Sequence, residues 1–269
     1  MCMATLQIDF HVHSEGSYDG HEPVELILEH AADIDLDAVV ITDHDVIHES
    51  KRAADLAADY GLIGIPGVEV STAHGHLLAI GVDEMPPRRA PYEETVAWIR
   101  DHGGVAIVPH PFQRTRHGVR KKNIPDVDAI ETFNAWLFTG YKNQRARRYA
   151  EAYGYPTVAA SDAHTLPYVG RAYTEITIPG VDRQAVRSED VLTAIREGST
   201  AVQGRRAPVP MAARHYAIGA ARKSGYYAKV GTLQTASYAR FGTLKSGSLL
   251  KTGLEKGTIG LKNLVAALR

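Results

Sequence analysis

Between Leu6 and Val202, short β-branched or apolar runs alternate with longer stretches of helical periodicity, and this limits the chain to β/α units around a largely parallel sheet. Strands are expected over residues 6–10, 38–41, 62–67, 76–82, 105–108, 129–132, 157–160 and 172–178. Helices are expected over 23–34, 50–60, 93–102, 140–153 and 188–197. In the first of these, Val24, Ile27, Leu28 and Ala31 recur at helical spacing behind Pro23, which suits a first helical turn. Gly103, Gly154 and Gly198 stand where helix C-caps belong. With 269 residues, 44% of them hydrophobic, the chain can bury a sizeable core.

Charge divides the chain. Residues 207–269 hold ten Lys or Arg against the single acid Glu255, whereas residues 1–206 hold twenty basic and thirty acidic residues. The expected organisation is therefore a domain over 1–206 and a basic, Gly/Lys-rich extension over 207–269. The extension would suit an anionic partner, or would dock on the acidic domain joined to it. The lone cysteine, Cys2, excludes an internal disulfide framework and a Cys-based zinc site, leaving nitrogen and oxygen as metal ligands. No apolar run approaches the roughly 20 residues that span a bilayer, and the start of the chain lacks a basic-then-apolar leader. A cytoplasmic location is expected.

The informative polar residues stand where the apolar runs end. His11 and His13 follow LQIDF, Asp43 and His44 follow AVVIT, His110 follows VAIVP, and Asp162 and His164 follow TVAAS. In parallel β/α architectures the carboxyl ends of strands form the functional face, so separate strands can deliver such side chains to one place. Taken singly, each has an ordinary reading. HVH can be two surface histidines, Asp19 a turn aspartate, His44 a helix-start residue beside a capping Asp43, and His110 a buried histidine with satisfied hydrogen bonds. Glu69, after Pro66-Gly67-Val68, is the carboxylate best suited to bridge two cations, since imidazoles carry no charge to offset their repulsion. His76 opens the run HLLAIGV and is favoured over His74 as a ligand. Nine candidates at successive strand ends match what a cluster of cations requires.

In this order HVH, the Asp19-Gly20 turn, TDHD, GVE with the following HLLAIG, Pro109-His110-Pro111 and SDAH resemble the PHP superfamily, the polymerase and histidinol phosphatase group, over residues 6 to about 202. The resemblance implies an α/β fold with a distorted seven-stranded β/α barrel. It also implies two or three divalent ions, manganese, zinc or iron, and hydrolysis of phosphate esters. Carried across motif by motif, it places His11, His13, Glu69 and Asp162 around one ion and Glu69, His76 and His110 around a second. Asp19, His44 and His164 surround a third, with Glu69, Asp162 and His164 closest to the chemistry. Arginines that hold substrate phosphate are also implied, and Arg114, Arg116 and Arg171 are the reachable ones. The resemblance stops before the basic extension.

The expected activity is hydrolysis of phosphate mono- or diesters, nucleotides or short oligonucleotides foremost, by a metal-bridging hydroxide. His74, His117 and Asp45 are candidates to protonate the leaving group. Three alternatives stay open: a phosphatase of the histidinol-phosphate type, a metal-dependent amidohydrolase or lactonase, and a nucleic-acid-binding module that uses the basic tail.

Overall fold

The run AVVI is buried at every residue, as a strand covered on both faces must be. It forms β2 (Ala38–Ile41) in a computed structural model that describes residues 3–113, 117–137, 140–206 and 208. β2 runs parallel to β1 (Met3–Val12). On the other side of β1 lies β8 (Ala172–Pro179), antiparallel, and beyond it β9 (Thr200–Gly204), giving the order β2-β1-β8-β9. A second sheet takes β3 (Gly67–Thr72), β4 (Gly75–Ile80), β5 (Val105–Val108), β6 (Ala129–Asn134) and β7 (Thr157–Ala160) in sequence order. It is antiparallel from β3 to β5 and parallel from β5 to β7.

The expected seven-stranded barrel does not form. Among the described residues, nine strands divide between two mixed sheets of four and five, and no ladder closes them into a ring. Loop length is the reason at β3–β4. Only Ala73 and His74 separate these strands, enough for a hairpin but far short of the dozen or so residues of a parallel crossover. β8 breaks the parallel order again by running against β1. Two further expectations shift. The strand expected over 62–67 starts only at Gly67, because Pro66 has no N–H to give a ladder. β9 was not expected at all: of its largely exposed TAVQG only Val202 packs against an apolar cluster, too little to mark a strand in the sequence.

Leu6, Ile8 and Phe10, alternate residues of β1, share a core with Leu78 and Ile80 of β4 and Val105 and Ile107 of β5. Val191, Leu192 and Ile195 of α5 (Ser188–Glu197) join that core. Val39 and Ile41 pack with Ile27 and Leu28 of α1 (Val24–Asp33) and Ala53 of α2 (His48–Leu56). Val68, Val70, Ala106 and Val108 pack with Val96 and Ile99 of α3 (Tyr92–Asp101) and with Ala146 and Ala150 of α4 (Tyr141–Tyr153). The β1–β2 register shifts between Asp9 and Val12, and Val12 belongs to the α1–α2 cluster rather than to the core of Phe10. The chain divides into two compact units, Met1–Ala212 and Ala213–Arg269, and every described residue lies in the first. Apart from Pro208, the extension expected over 207–269 lies outside the described residues. No helix among the described residues is long and apolar enough to cross a membrane.

Candidate metal centre

Two isolated parallel bridges, each joining a strand residue to one just past the end of another strand, assemble the site: Val12 pairs with Ala163 and Glu69 with His44. In the first, the His13 N–H donates to the Ala163 carbonyl at 2.8 Å and the Ala163 N–H to the His11 carbonyl at 3.3 Å. Val12 and Ala163 both turn into the same apolar cluster, so their neighbours turn the other way, toward one another. His11 Nε2 and His13 Nε2 come within 3.5 and 3.3 Å of Asp162 Oδ1, and the rings of His13 and His164 stack at 4.4 Å.

Glu69 occupies the centre. Its carboxylate lies 2.6 Å from His76 Nδ1, 3.0 Å from His110 Nε2, 3.0 Å from His44 Nδ1, 3.2 Å from His11 Nε2 and 3.4 Å from His13 Nε2. It does not end a strand, as the spacing had suggested, but sits inside β3. In the β3–β4 ladder Ser71 faces His76 and Glu69 faces Leu78, so Glu69 and His76 are diagonal neighbours on one face. At the mouth, Asp19 Oδ2 lies 3.3 Å from both His44 Nε2 and His164 Nε2, while its Oδ1 accepts from Ser17 Oγ. All nine expected ligands are thus brought together.

Residues that sequence reasoning passed over hold this arrangement. Glu131 of β6, buried, accepts from the His110 N–H at 2.5 Å and from Asn134 Nδ2 at 3.0 Å, and its other oxygen lies 3.2 Å from His11 Nδ1. Asn134 reaches Asp162 Oδ2 with the same amide group, and its own backbone is gripped by the Asn143 side chain at the start of α4. Asp9 ties three segments, accepting from the N–H groups of His11, Ser161 and Gly170, and burial lifts its pKa to about 6. Asp43 holds the Ser14 N–H and hydroxyl rather than capping a helix. A buried acid in the middle of AIETFN was the one available signal for Glu131. Among the described residues, four of the six non-glycine residues with positive φ, Asp45, His110, Phe112 and Asp162, lie in or beside the cluster, where backbone strain is held by the surrounding bonds.

Burial opposes charge on Glu69, but His44, His76 and His11 outweigh it and hold the carboxyl well below its ordinary range. Asp162 is likewise kept ionised by His11 and His13, and Asp19 by His164 and His44. In return Glu69 and Asp19 overcome the burial of His44 and push it up to about 9. His13 goes the other way, lowered to about 4 by burial and the nearby His164. The donors form four overlapping sets whose ligating atoms lie within 4.8 Å of one another: His13, Asp19, His44 and His164; His11, Glu69 and His110; His11, His13 and Asp162; His44, Glu69 and His76. These fit divalent cations. His44 Nδ1 and Glu69 Oε2 sit 3.0 Å apart without hydrogen-bond geometry, and the two Nε2 atoms of His11 and His13 confront each other at 3.2 Å. Buried imidazole nitrogen and carboxylate oxygen without thiolate is donor chemistry that suits divalent metal ions.

The remaining expected residues fall elsewhere. Arg171 lies 5.9 Å over the Tyr168 ring and donates to the Arg206 carbonyl, not to the cluster, although Tyr168 stacks on Trp136, whose indole N–H reaches His164 Nδ1. Arg114 and Arg116 lie outside the described residues. His74 is exposed in the β3–β4 turn, and Asp45 is taken up by the Ser71 N–H. His117 adjoins the cluster, its ring 4.5 Å from that of His76 and its carbonyl accepting the His76 N–H.

The chain is similar in part to known proteins. The PHP-associated family matches residues 140–200. The protein MJ1587 of Methanocaldococcus jannaschii is 28% identical over 152 residues, which is 52% of this chain and 89% of that protein. A two-domain protein of Bacteroides vulgatus, described as containing a predicted PHP-like metal-dependent phosphoesterase, superposes with a TM-score of 0.60 at 20% identity, over 76% of this chain and 66% of that one. The lesion-specific endonuclease PfuEndoQ of Pyrococcus furiosus gives a TM-score of 0.51 at 15% identity, over 74% of this chain and 58% of that one.

Proposed function

We propose the following activity for this chain, which belongs to the PHP superfamily: metal-dependent hydrolysis of phosphate mono- or diesters, with nucleotides or short oligonucleotides as the preferred substrates. The observation that carries it is Glu69, one carboxylate within 3.4 Å of five imidazoles, at the junction of the donor sets. His11, His13, Glu69 and Asp162 would hold one divalent ion, Glu69, His76 and His110 a second, and Asp19, His44 and His164 a third. Bound there, such ions make water nucleophilic at neutral pH and offset the charge of phosphoryl oxygens. The chain's own part is to fix the donors. Glu69 ties two sets together, Asp162 anchors the HVH pair, and His164, stacked on His13 and with its Nδ1 2.8 Å from the Asp162 carbonyl, faces Asp19 at the mouth. The likeness of fold to a lesion-specific endonuclease supports a phosphodiester among the substrates.

The test joins metal analysis of the purified chain to a substrate panel of aryl phosphates, aryl diesters, nucleoside phosphates, cyclic nucleotides, short oligonucleotides, histidinol phosphate and lactones. Turnover of phosphoesters that EDTA abolishes and manganese, zinc or iron restores is expected. Activity confined to lactones would end the phosphoesterase reading.

A further inference from the structure

Nine of the twenty Lys and Arg of residues 1–206 fall between Arg114 and Arg148, whereas the first fifty residues contain none. Several of the described ones lie on or against α4. The 3-10 turn Lys121–Asn123 packs on α4, with Lys121 Nζ 5.7 Å over the Tyr149 ring and 5.0 Å over that of Tyr153. Lys142 Nζ donates to the Phe112 carbonyl, and the Arg145 guanidinium lies 4.4 Å over the Phe112 ring. Arg120, Lys121, Lys122, Arg145 and Arg148 are exposed, and none of them forms an ion pair among the described residues. The nearby acids Asp126 and Asp128 are already engaged by Arg100. Tyr141 and Tyr153, at the two ends of α4, are 64% and 56% exposed.

This basic ridge begins at the cluster itself. Phe112 stands two residues after His110, and Asn143, beside Lys142, grips the Asn134 backbone, whose side chain bonds Asp162. From there α4 extends for about 20 Å. A lone nucleotide has no use for a track of that length, and in an otherwise acidic domain a concentration of unpaired cations leading to a metal cluster draws a polyanion to one entrance. We infer that the ridge of Arg120, Lys121, Lys122, Arg145 and Arg148, with Tyr141 and Tyr153, is a track that guides a phosphodiester strand with unpaired bases into the cluster. The cations hold successive phosphates and the exposed rings stack on bases. This rests on the phosphoesterase reading above and names its substrate class.

The test uses the full-length chain in EDTA, with fluorescein-labelled dT12, rU12 and a twelve-base-pair DNA duplex as probes, read by anisotropy from 50 to 200 mM NaCl. In the combined variant Lys121→Glu, Lys122→Glu, Arg148→Glu, single-strand affinity should fall at least tenfold at 50 mM salt. The slope of log affinity against log salt should flatten by about two, since each lost phosphate contact removes about 0.7. Tyr153→Ala should cost at least about fivefold. If the reversed-charge variant melts out, the same three positions changed to Gln remove the charge more gently and the slope is read again. Unchanged affinity and slope in the variants would overturn the track and assign binding to residues 207–269, and so would a wild type that binds no strand. Duplex bound as tightly as single strand, with Tyr153→Ala silent, would overturn the unpaired-base claim; the dT12 and rU12 arms decide the sugar. A chain that grips strand through the ridge yet hydrolyses no phosphoester would sink the hydrolase reading and leave this one standing.

Discussion

His11, Glu69 and His110 have side-chain exposures of 0%, 0% and 5%, and two of the three are gripped from behind by Glu131. Asp19 and His44, at the mouth, are 24% and 9% exposed, and Asp19 stands in a turn where its support is the Ser17 hydroxyl. The deep half is fixed by strands, a bridge and a buried carboxylate before any ion arrives. The mouth half depends on a short loop that closes on it. Ions should therefore be held more tightly in the deep sets, and the mouth is where exchange and substrate entry are cheapest in free energy.

The largest effect should come from Glu69→Gln, which keeps the shape but removes the charge that five imidazoles face. Residues behind a metal ligand are worth 10- to 100-fold in metal affinity, so the shared carboxylate itself should cost more than about 100-fold, and metal-dependent turnover should vanish. Isothermal titration with manganese, joined to aryl phosphate assays, reads both. Full activity in this variant would reject the bridging role.

Next in size is Glu131→Gln, which still leaves an amide oxygen for His11 Nδ1 but sets an NH2 against both the His110 N–H and the Asn134 amide. A loss of 10- to 100-fold in deep-set metal affinity is expected, with the mouth set affected less. If both halves weaken equally, Glu131 supports the fold as a whole and the contrast between halves is wrong. Asp19→Asn should do the reverse: one fewer ion per chain by metal analysis, with the deep sets still filled. Loss of every ion in that variant would show that the halves bind as one unit.

How much of this the sequence shows depends on which force places each residue. His11 with His13 is legible because period-two alternation puts such a pair on one side of an extended segment, whereas Asp162, two residues before His164, joins the site with a left-handed φ of 55°. Gly154 and Gly198 were legible as caps and take up the left-handed conformation with φ of 74° and 73°. The strand arrangement was not legible. A two-residue gap between two apolar runs encodes a hairpin, but the β/α rhythm on either side masks it, and antiparallel β8 follows from tertiary pairing with β1 rather than from any local signal. Glu131 and Asn134 escaped for a related reason. Their bonds to His11 and Asp162 span 120 and 28 residues along the chain, and no spacing rule reaches that far.

The smallest effect, and the sharpest probe of the mouth, is Tyr18→Ala. The Tyr18 ring stacks on His44 at 5.0 Å and 14° while remaining 69% exposed, so it covers one face of a mouth ligand that strands do not enclose. An aromatic pair of this kind contributes about 0.5–1.5 kcal/mol, which converts to roughly a two- to tenfold loss in mouth-ion affinity. Tyr18→Phe keeps the ring and should bind as the wild type. Manganese titrations of the two variants should therefore separate, with the deep sets unmoved in both. If Tyr18→Ala instead leaves metal affinity intact and raises KM alone, the ring serves the substrate rather than His44. The mouth would then owe its looseness to the Ser17–Asp19 turn and not to thin cover over its imidazole.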